Sequence, residues 1–164
     1  MAHLAFLSLG SNLGRRQDRL RAAIARLRAV GKVVSFSSFY ETEPVEFTEQ
    51  PWFLNCAVVL ETTESPQRLL EAILDIEREM GRRREQEPRK GPRTIDIDIL
   101  LLADMIVDSP ALIIPHPAMH QRRFVLEPLA EIAPEVRHPR LNKTVRQLLE
   151  ELPAGQTVRR LPGI

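Results

Sequence analysis

The chain has 164 residues, 43% hydrophobic and 27% charged, with a formal net charge of +1. That length suits one domain over residues 1–164 with a weakly ordered tail from about residue 153, and the balanced charge excludes a global field that would draw the chain to nucleic acid or a membrane surface. A single cysteine, Cys56, excludes an internal disulfide framework and fits a reducing compartment.

Residues 3–9 are a short apolar run leading into Gly10-Ser11-Asn12, and they read as a buried first strand. No basic start precedes them, so they are not a signal peptide. Nothing approaches the ~20 apolar residues of a membrane span, and the expected setting is soluble and cytoplasmic. A helix is predicted over residues 15–30, with Leu20, Ala23, Ile24, Leu27 and Val30 on one face and Gly31 as its stop. Residues 33–42 are β-branched and aromatic, which predicts a strand, and residues 43–51 form a loop with two prolines. The strand over residues 53–62 alternates. Phe53, Asn55, Ala57 and Val59 share one face; Leu54, Cys56, Val58 and Leu60 share the other. Cys56 therefore reads as a small apolar strand residue rather than a nucleophile, since no activating base or cation stands beside it in sequence.

Ser65-Pro66 opens a second helix, a capping hydroxyl followed by proline at the first helical position, and Gly81 ends it. Residues 82–93 are charged, hold two prolines and lack an apolar period, so they read as an exposed loop. Residues 94–102 are a strand expected to turn at Ala103-Asp104 into a short partner at residues 105–107. Helices are expected over residues 124–132 and 144–152, and the Pro-, Gly- and Arg-rich end is expected to fray. The order β-α-β-β-α-β, two helices on one face of a mainly antiparallel sheet plus C-terminal additions, is the α+β ferredoxin-like arrangement. That fold hosts many functions and decides no chemistry.

The chemistry sits in Arg89-Lys90-Gly91-Pro92-Arg93-Thr94-Ile95-Asp96-Ile97-Asp98-Ile99-Leu100. Strand alternation projects Asp96 and Asp98 from one face and Ile95, Ile97 and Ile99 from the other. Two carboxylates with Cα atoms about 6.5 Å apart can hold hard divalent cations, and a metal pair can clamp a displacement at phosphorus. A bare Asp-x-Asp also serves as a solvated strand face, but the cations at Arg89, Lys90 and Arg93 add groups for phosphate beside groups for metal. Arg82, Arg83 and Arg84 form a second basic cluster, which taken alone reads as a helix C-terminus favoured by the dipole rather than as a phosphate site. Because this cluster and the Asp pair bracket one loop, residues 82–93 are expected to act as a lid over phosphates. His116, with Arg122 behind it, reads either as a surface residue or as an imidazole donor to phosphate. No zinc-ligand spacing and no P-loop sequence occurs.

At this point the chain resembles the 6-hydroxymethyl-7,8-dihydropterin pyrophosphokinase family of folate biosynthesis. The likeness is carried by Gly10-Ser11-Asn12-Leu13, Ser38-Phe39-Tyr40-Glu41-Thr42, Gln50-Pro51, Leu54-Asn55, Ile76-Glu77, Gly81-Arg82, the Gly91-Pro92-Arg93-x-x-Asp96-x-Asp98 run, Pro115-His116 and Arg122-Arg123-Phe124. The resemblance implies transfer of pyrophosphate from ATP to the pterin hydroxymethyl group, releasing AMP, with two magnesium ions on Asp96 and Asp98. It implies a pterin ring between Phe53 and Phe124, read by Asn55 with backbone help from Thr42, Pro44 and Val45. Taken alone, Phe53 and Phe124 read as core packing. It implies Glu77 near the ribose, Ile99 against adenine through its backbone, and Arg82, Arg84, Arg93, His116 and Arg122 at the phosphates, with Arg82 and Arg93 catalytic. The chain departs from members that carry tryptophan at Lys90, tyrosine at Pro117, arginine and threonine at Ala111 and Ile113, or proline at Glu43. The expected partners are the two substrates, with no nucleic acid and no membrane, and the expected state is a monomer. An RNA-binding module on the same fold is the competing class; it needs exposed aromatics on central strands and a basic surface.

Overall fold

The computed structural model describes residues 1–44, 51–81 and 94–162. In chain order the elements are β1 (His3–Ser11), α1 (Arg16–Leu27), β2 (Lys32–Phe36), β3 (Tyr40–Thr42), β4 (Phe53–Thr62), α2 (Pro66–Glu79), β5 (Asp96–Leu102), β6 (Val107–Asp108), β7 (Ile113–Ile114), α3 (Arg123–Ile132), β8 (Arg137–His138), β9 (Lys143–Thr144), α4 (Val145–Glu150) and β10 (Val158–Arg160). A 3-10 turn over Met119–Gln121 precedes α3. Among the described residues no helix is long and apolar enough to cross a membrane.

The main sheet runs β10-β3-β4-β1-β5, with β2 also paired to β4, and all its pairings are antiparallel. β1 lies between β4 and β5 and has helices over both of its faces, which explains why its sequence is apolar rather than alternating. On one face Leu7 and Leu9 of β1, Leu54 and Val58 of β4, and Ile97 of β5 pack against α1 and α2. On the other, Phe6, Ala57, Val59 and Leu101 meet Val125 and Leu129 of α3 and Leu148 of α4. The first layer is the expected ferredoxin-like one. The C-terminal additions form another layer over the opposite face, burying apolar side chains that β1 and β4 present there.

Two local expectations change. The strand expected over residues 33–42 splits into β2 and β3, because Ser37 turns its side chain onto the backbone. Its hydroxyl donates to the Ser38 carbonyl at 2.7 Å and accepts from the Ala57 N–H at 2.9 Å, and the register on β4 shifts across the break. The expected partner of β5 at residues 105–107 does not pair with it. The turn at Ala103, with φ 50°, takes the chain off the sheet, and β6 pairs with β7 in a separate ribbon. Helix boundaries are close to expectation. Ser65 caps α2 by accepting from the Arg68 N–H at 3.3 Å, a contact worth about 1 kcal/mol. α1 stops at Leu27, and Gly31 meets a second demand. A Cβ there would lie 2.3 Å from the Glu61 carbonyl oxygen, so only glycine lets the chain pass so close to β4. Cys56 is 1% exposed and burial pushes its thiol pKa up, in keeping with an apolar role.

The C-terminal segment carries an element the sequence did not announce. β10 extends the sheet beyond β3, with Val158, Arg159 and Arg160 opposite Thr42, Glu41 and Tyr40. Glu131 of α3 ties the layers together there. It accepts from the Tyr40 hydroxyl at 2.7 Å, from the Ser38 hydroxyl at 3.1 Å, and from the Ser38 N–H at 3.0 and 3.1 Å. Burial pushes the Glu131 carboxyl up, but these bonds and Arg160 outweigh it and hold the pKa below the ordinary 4.5. Bonds from Arg159 and then Arg16 lower Glu41 likewise. Both folded pKa values lie below the unfolded ones. Their stabilisation is therefore present above the unfolded carboxylate pKa and is lost as pH falls through the depressed values. The melting temperature should drop on acidification from about pH 5 to about pH 3, and Glu131→Gln should flatten that slope. An unchanged slope in thermal melts would show that this cluster does not contribute to acid stability.

Candidate functional site

Antiparallel register aligns two rows of side chains across the sheet. Asn55 on β4, Gly10 on β1 and Asp96 on β5 stand in one row; Ala57, Ser8 and Asp98 stand in the next. The two acids therefore project from the face that α3 covers further along, as strand alternation predicted, while Ile95, Ile97 and Ile99 enter the core under α2. Asp96 and Asp98 are both half-buried. Across two strand spacings, Asn55 and Asp96 are about 10 Å apart.

Gly10 makes room in the first row. A Cβ at that position would lie 3.3 Å from both the Nδ2 and the Oδ1 of Asn55, so the Asn55 amide leans over the glycine. Asn55 is 3% exposed, and its Oδ1 is buried without a hydrogen-bond partner. Such an atom forfeits about 1–3 kcal/mol unless a ligand donates to it. Phe53 shares this face of β4, and Phe124, in the first turn of α3, packs beside the second core layer. The Arg122 guanidinium lies 5.5 Å from the Phe124 ring centroid.

His116 follows the cis Ile114-Pro115 bond and is fastened to β5, its N–H donating to the Leu100 carbonyl at 2.9 Å. Its Nδ1 accepts from the Ala118 N–H at 3.1 Å, which leaves the proton on Nε2. Burial pushes the imidazole pKa down to about 4, Arg122 lowers it further, and Asp96 pulls the other way. Arg122 and Asp96 thus both act on His116, although Asp96 precedes it by 20 positions. At neutral pH the imidazole is uncharged and offers a single N–H.

Glu77 is 1% exposed on α2, and its Oε2 accepts from the Ile97 N–H at 2.8 Å, between the two acids. Ile99 is buried, opposite Leu7 of β1. Thr42 is buried between Phe53 and Val158, and Pro44 is half-buried beyond it. The expected lid over residues 82–93, with Arg82, Arg84 and Arg93, lies outside the described residues, as does Val45. Sequence reading quoted Asn12 and Glu41 without giving them a role, and it passed over Arg16. Asn12 Nδ2 donates to the Pro51 carbonyl at 3.0 Å. Arg16 donates to the Trp52 carbonyl at 2.8 Å and to Glu41 at 3.1 Å. The signal was there in part: a polar Asn directly after a buried strand has to find partners.

A family model described as 7,8-dihydro-6-hydroxymethylpterin-pyrophosphokinase (HPPK) matches residues 6–134. The 2-amino-4-hydroxy-6-hydroxymethyldihydropteridine pyrophosphokinase of Bacillus subtilis is 48% identical over 138 residues, covering 83% of this chain and 81% of that protein. The protein of the same name from Methylorubrum extorquens is 44% identical over 154 residues, covering 92% and 95%. Among solved structures, the wild-type HPPK-DHPS of Plasmodium falciparum with pterin and p-hydroxybenzoate superposes with a TM-score of 0.73 at 21% identity. That match covers 92% of this chain and 43% of that one, and at such identity it speaks for the fold alone. The RNA-binding alternative fails, and the fold gives a reason: α3 and α4 cover the sheet face such a module would have to expose. With the match spanning residues 6–134, this chain belongs to the 7,8-dihydro-6-hydroxymethylpterin-pyrophosphokinase family.

Proposed function

We propose that the chain transfers pyrophosphate from ATP to the hydroxymethyl oxygen of 6-hydroxymethyl-7,8-dihydropterin in folate biosynthesis, with magnesium held by Asp96 and Asp98. The observation that carries this reading is the row across the sheet: a buried, unsatisfied Asn55 Oδ1 in register with a half-buried carboxylate pair. The first suits the polar edge of a flat heterocycle, with Phe53 and Phe124 supplying apolar faces for the ring. Thr42, Pro44 and Val45 would complete that side through their backbone.

Asp96 and Asp98 fit magnesium: they are hard oxygen donors on one face of one strand. A cation held by two carboxylates and completed by phosphate and water is the usual magnesium arrangement, and two such ions would share this pair. Bound there, magnesium would neutralise the triphosphate and sharpen the electrophilic phosphorus. The chain's own residues would do the rest. His116 would donate its Nε2 proton as a hydrogen bond to a phosphate oxygen, and Arg122 would add charge beside it. Arg82, Arg84 and Arg93 would close on the same phosphates, and Glu77 and Ile99 would lie towards the nucleoside. The pterin oxygen would bond to the β-phosphorus as the bridge to the α-phosphate breaks; AMP would leave with the bridging oxygen, and the hydroxyl proton would pass to water. The site draws on β1, β4, β5 and α3; the chain would act as a monomer, in the cytoplasm where ATP is the donor.

Product analysis tests the reaction. With ATP, magnesium and the reduced pterin alcohol, AMP and a pterin diphosphate should appear in equal amounts. ADP and a monophosphate would mean an ordinary kinase and would refute the reading.

A further inference from the structure

Glu43 stands between Thr42 and Pro44, and three hydrogen bonds join it to the C-terminal segment. Its N–H donates to the Thr157 carbonyl at 3.2 Å, its carbonyl accepts from Gln156 Nε2 at 2.6 Å, and its Oε1 accepts from the Thr157 N–H at 2.6 Å. Backbone and side chain of one residue are thus tied to two consecutive residues of the tail. Next to this knot, β10 pairs with β3, and Arg159 bonds the Glu41 carboxylate while lying 5.9 Å from the Trp52 ring centroid. Arg16 joins Glu41 to the Trp52 carbonyl. Both Glu43 and Trp52, on either side of residues 45–50, are therefore held to one framework that includes the tail. Residues 156–159 also lie beyond the stretch, 6–134, that matches the family model.

We infer that Glu43 is a positioning residue for the pterin side of the reaction, clasping the C-terminal segment so that Thr42, Pro44 and Phe53 are set before the ring arrives. This rests on the pterin reading of that site. A segment fixed in its bound form loses less conformational freedom on binding, and the gain appears as affinity. The sheet order makes the effect selective. β10 and β3 lie at one edge and β5, with its acids, at the other, so loosening the clasp acts on the pterin and leaves the nucleotide side unchanged.

The test uses the full-length chain as wild type, Glu43→Ala, Glu43→Gln and Thr157→Pro, the last removing the N–H that Oε1 accepts. Amide hydrogen exchange of the ligand-free proteins at residues 41 and 43 is measured beside KM for the reduced pterin alcohol, KM for ATP, kcat and melting temperature. Glu43→Ala and Thr157→Pro should exchange faster at these amides and raise the pterin KM about tenfold, with kcat and the ATP KM within about twofold. Glu43→Gln should remain close to wild type, because its amide oxygen accepts where Oε1 did. Unchanged exchange, an unchanged pterin KM, or an ATP KM that rises in parallel overturns the inference. Failure of the wild type to release AMP with the pterin would instead refute the proposed function, while exchange at residues 41 and 43 would still decide whether the clasp exists.

Discussion

Asp96→Asn and Asp98→Asn should each reduce pyrophosphate transfer at least about a thousandfold, which is roughly 4 kcal/mol of barrier. The amides keep the size and shape of the carboxylates and remove the negative charge that holds a divalent cation. Both positions are half-buried, and Ile97, Ile99 and Leu101 anchor the strand in both core layers, so the fold should survive either change. Affinity for the pterin alone should also hold within about twofold, since Asn55 is some two strands distant, about 10 Å. Magnesium-dependent activity near wild type in both variants would remove the metal role. Loss of pterin binding in step with turnover would show that the acids shape the pterin pocket instead.

Glu77→Ala should have the largest structural effect of any change near the site. It deletes a fully buried carboxylate and leaves the Ile97 N–H without the partner it has at 2.8 Å. An unsatisfied buried donor and the void beside it cost about 2–4 kcal/mol, which for a chain of this size lowers the melting temperature by about 5–10 °C. Because Ile97 sits between Asp96 and Asp98, turnover should fall as well. Glu77→Gln retains an accepting oxygen and should recover most of the stability. The opposite pattern, a raised KM for ATP with an unaltered melting temperature, would show that Glu77 serves the nucleotide directly and not the strand.

The two roles assigned to Glu77 show where reading along the chain stops. Helix periodicity puts Glu77 next to Ile76 and Ile73 in the stripe of α2, but a carboxylate in such a stripe declares no partner. Its partner is 20 residues ahead, on a strand whose outer backbone groups need an acceptor. The same holds for His116. As a loop histidine after a proline it read as a surface residue or a phosphate donor; the fold half-buries it, fastens it to Leu100 and sets it under the charges of Arg122 and Asp96, none of which its neighbours in sequence declare.

What the sequence determined by itself follows from short-range order. Alternation in residues 94–100 and 53–59 fixed which side chains share a face, and the Asp pair and the Phe53-Asn55 pair stand as that alternation required. Ser65-Pro66 marked where α2 begins, and the apolar stripes of α1 and α2 marked the face they cover. Tertiary structure alone decided register and reach. It decided that Gly10 brings Asn55 and Asp96 into one row, that Ser37 breaks a strand in two, that α3 and α4 cover the second face, and that the tail returns to β3. The physical reason is that a side chain's face depends on a period of two or 3.6 residues, written in neighbouring positions. Pairing between distant segments depends instead on which apolar surfaces and backbone groups satisfy one another across the whole fold.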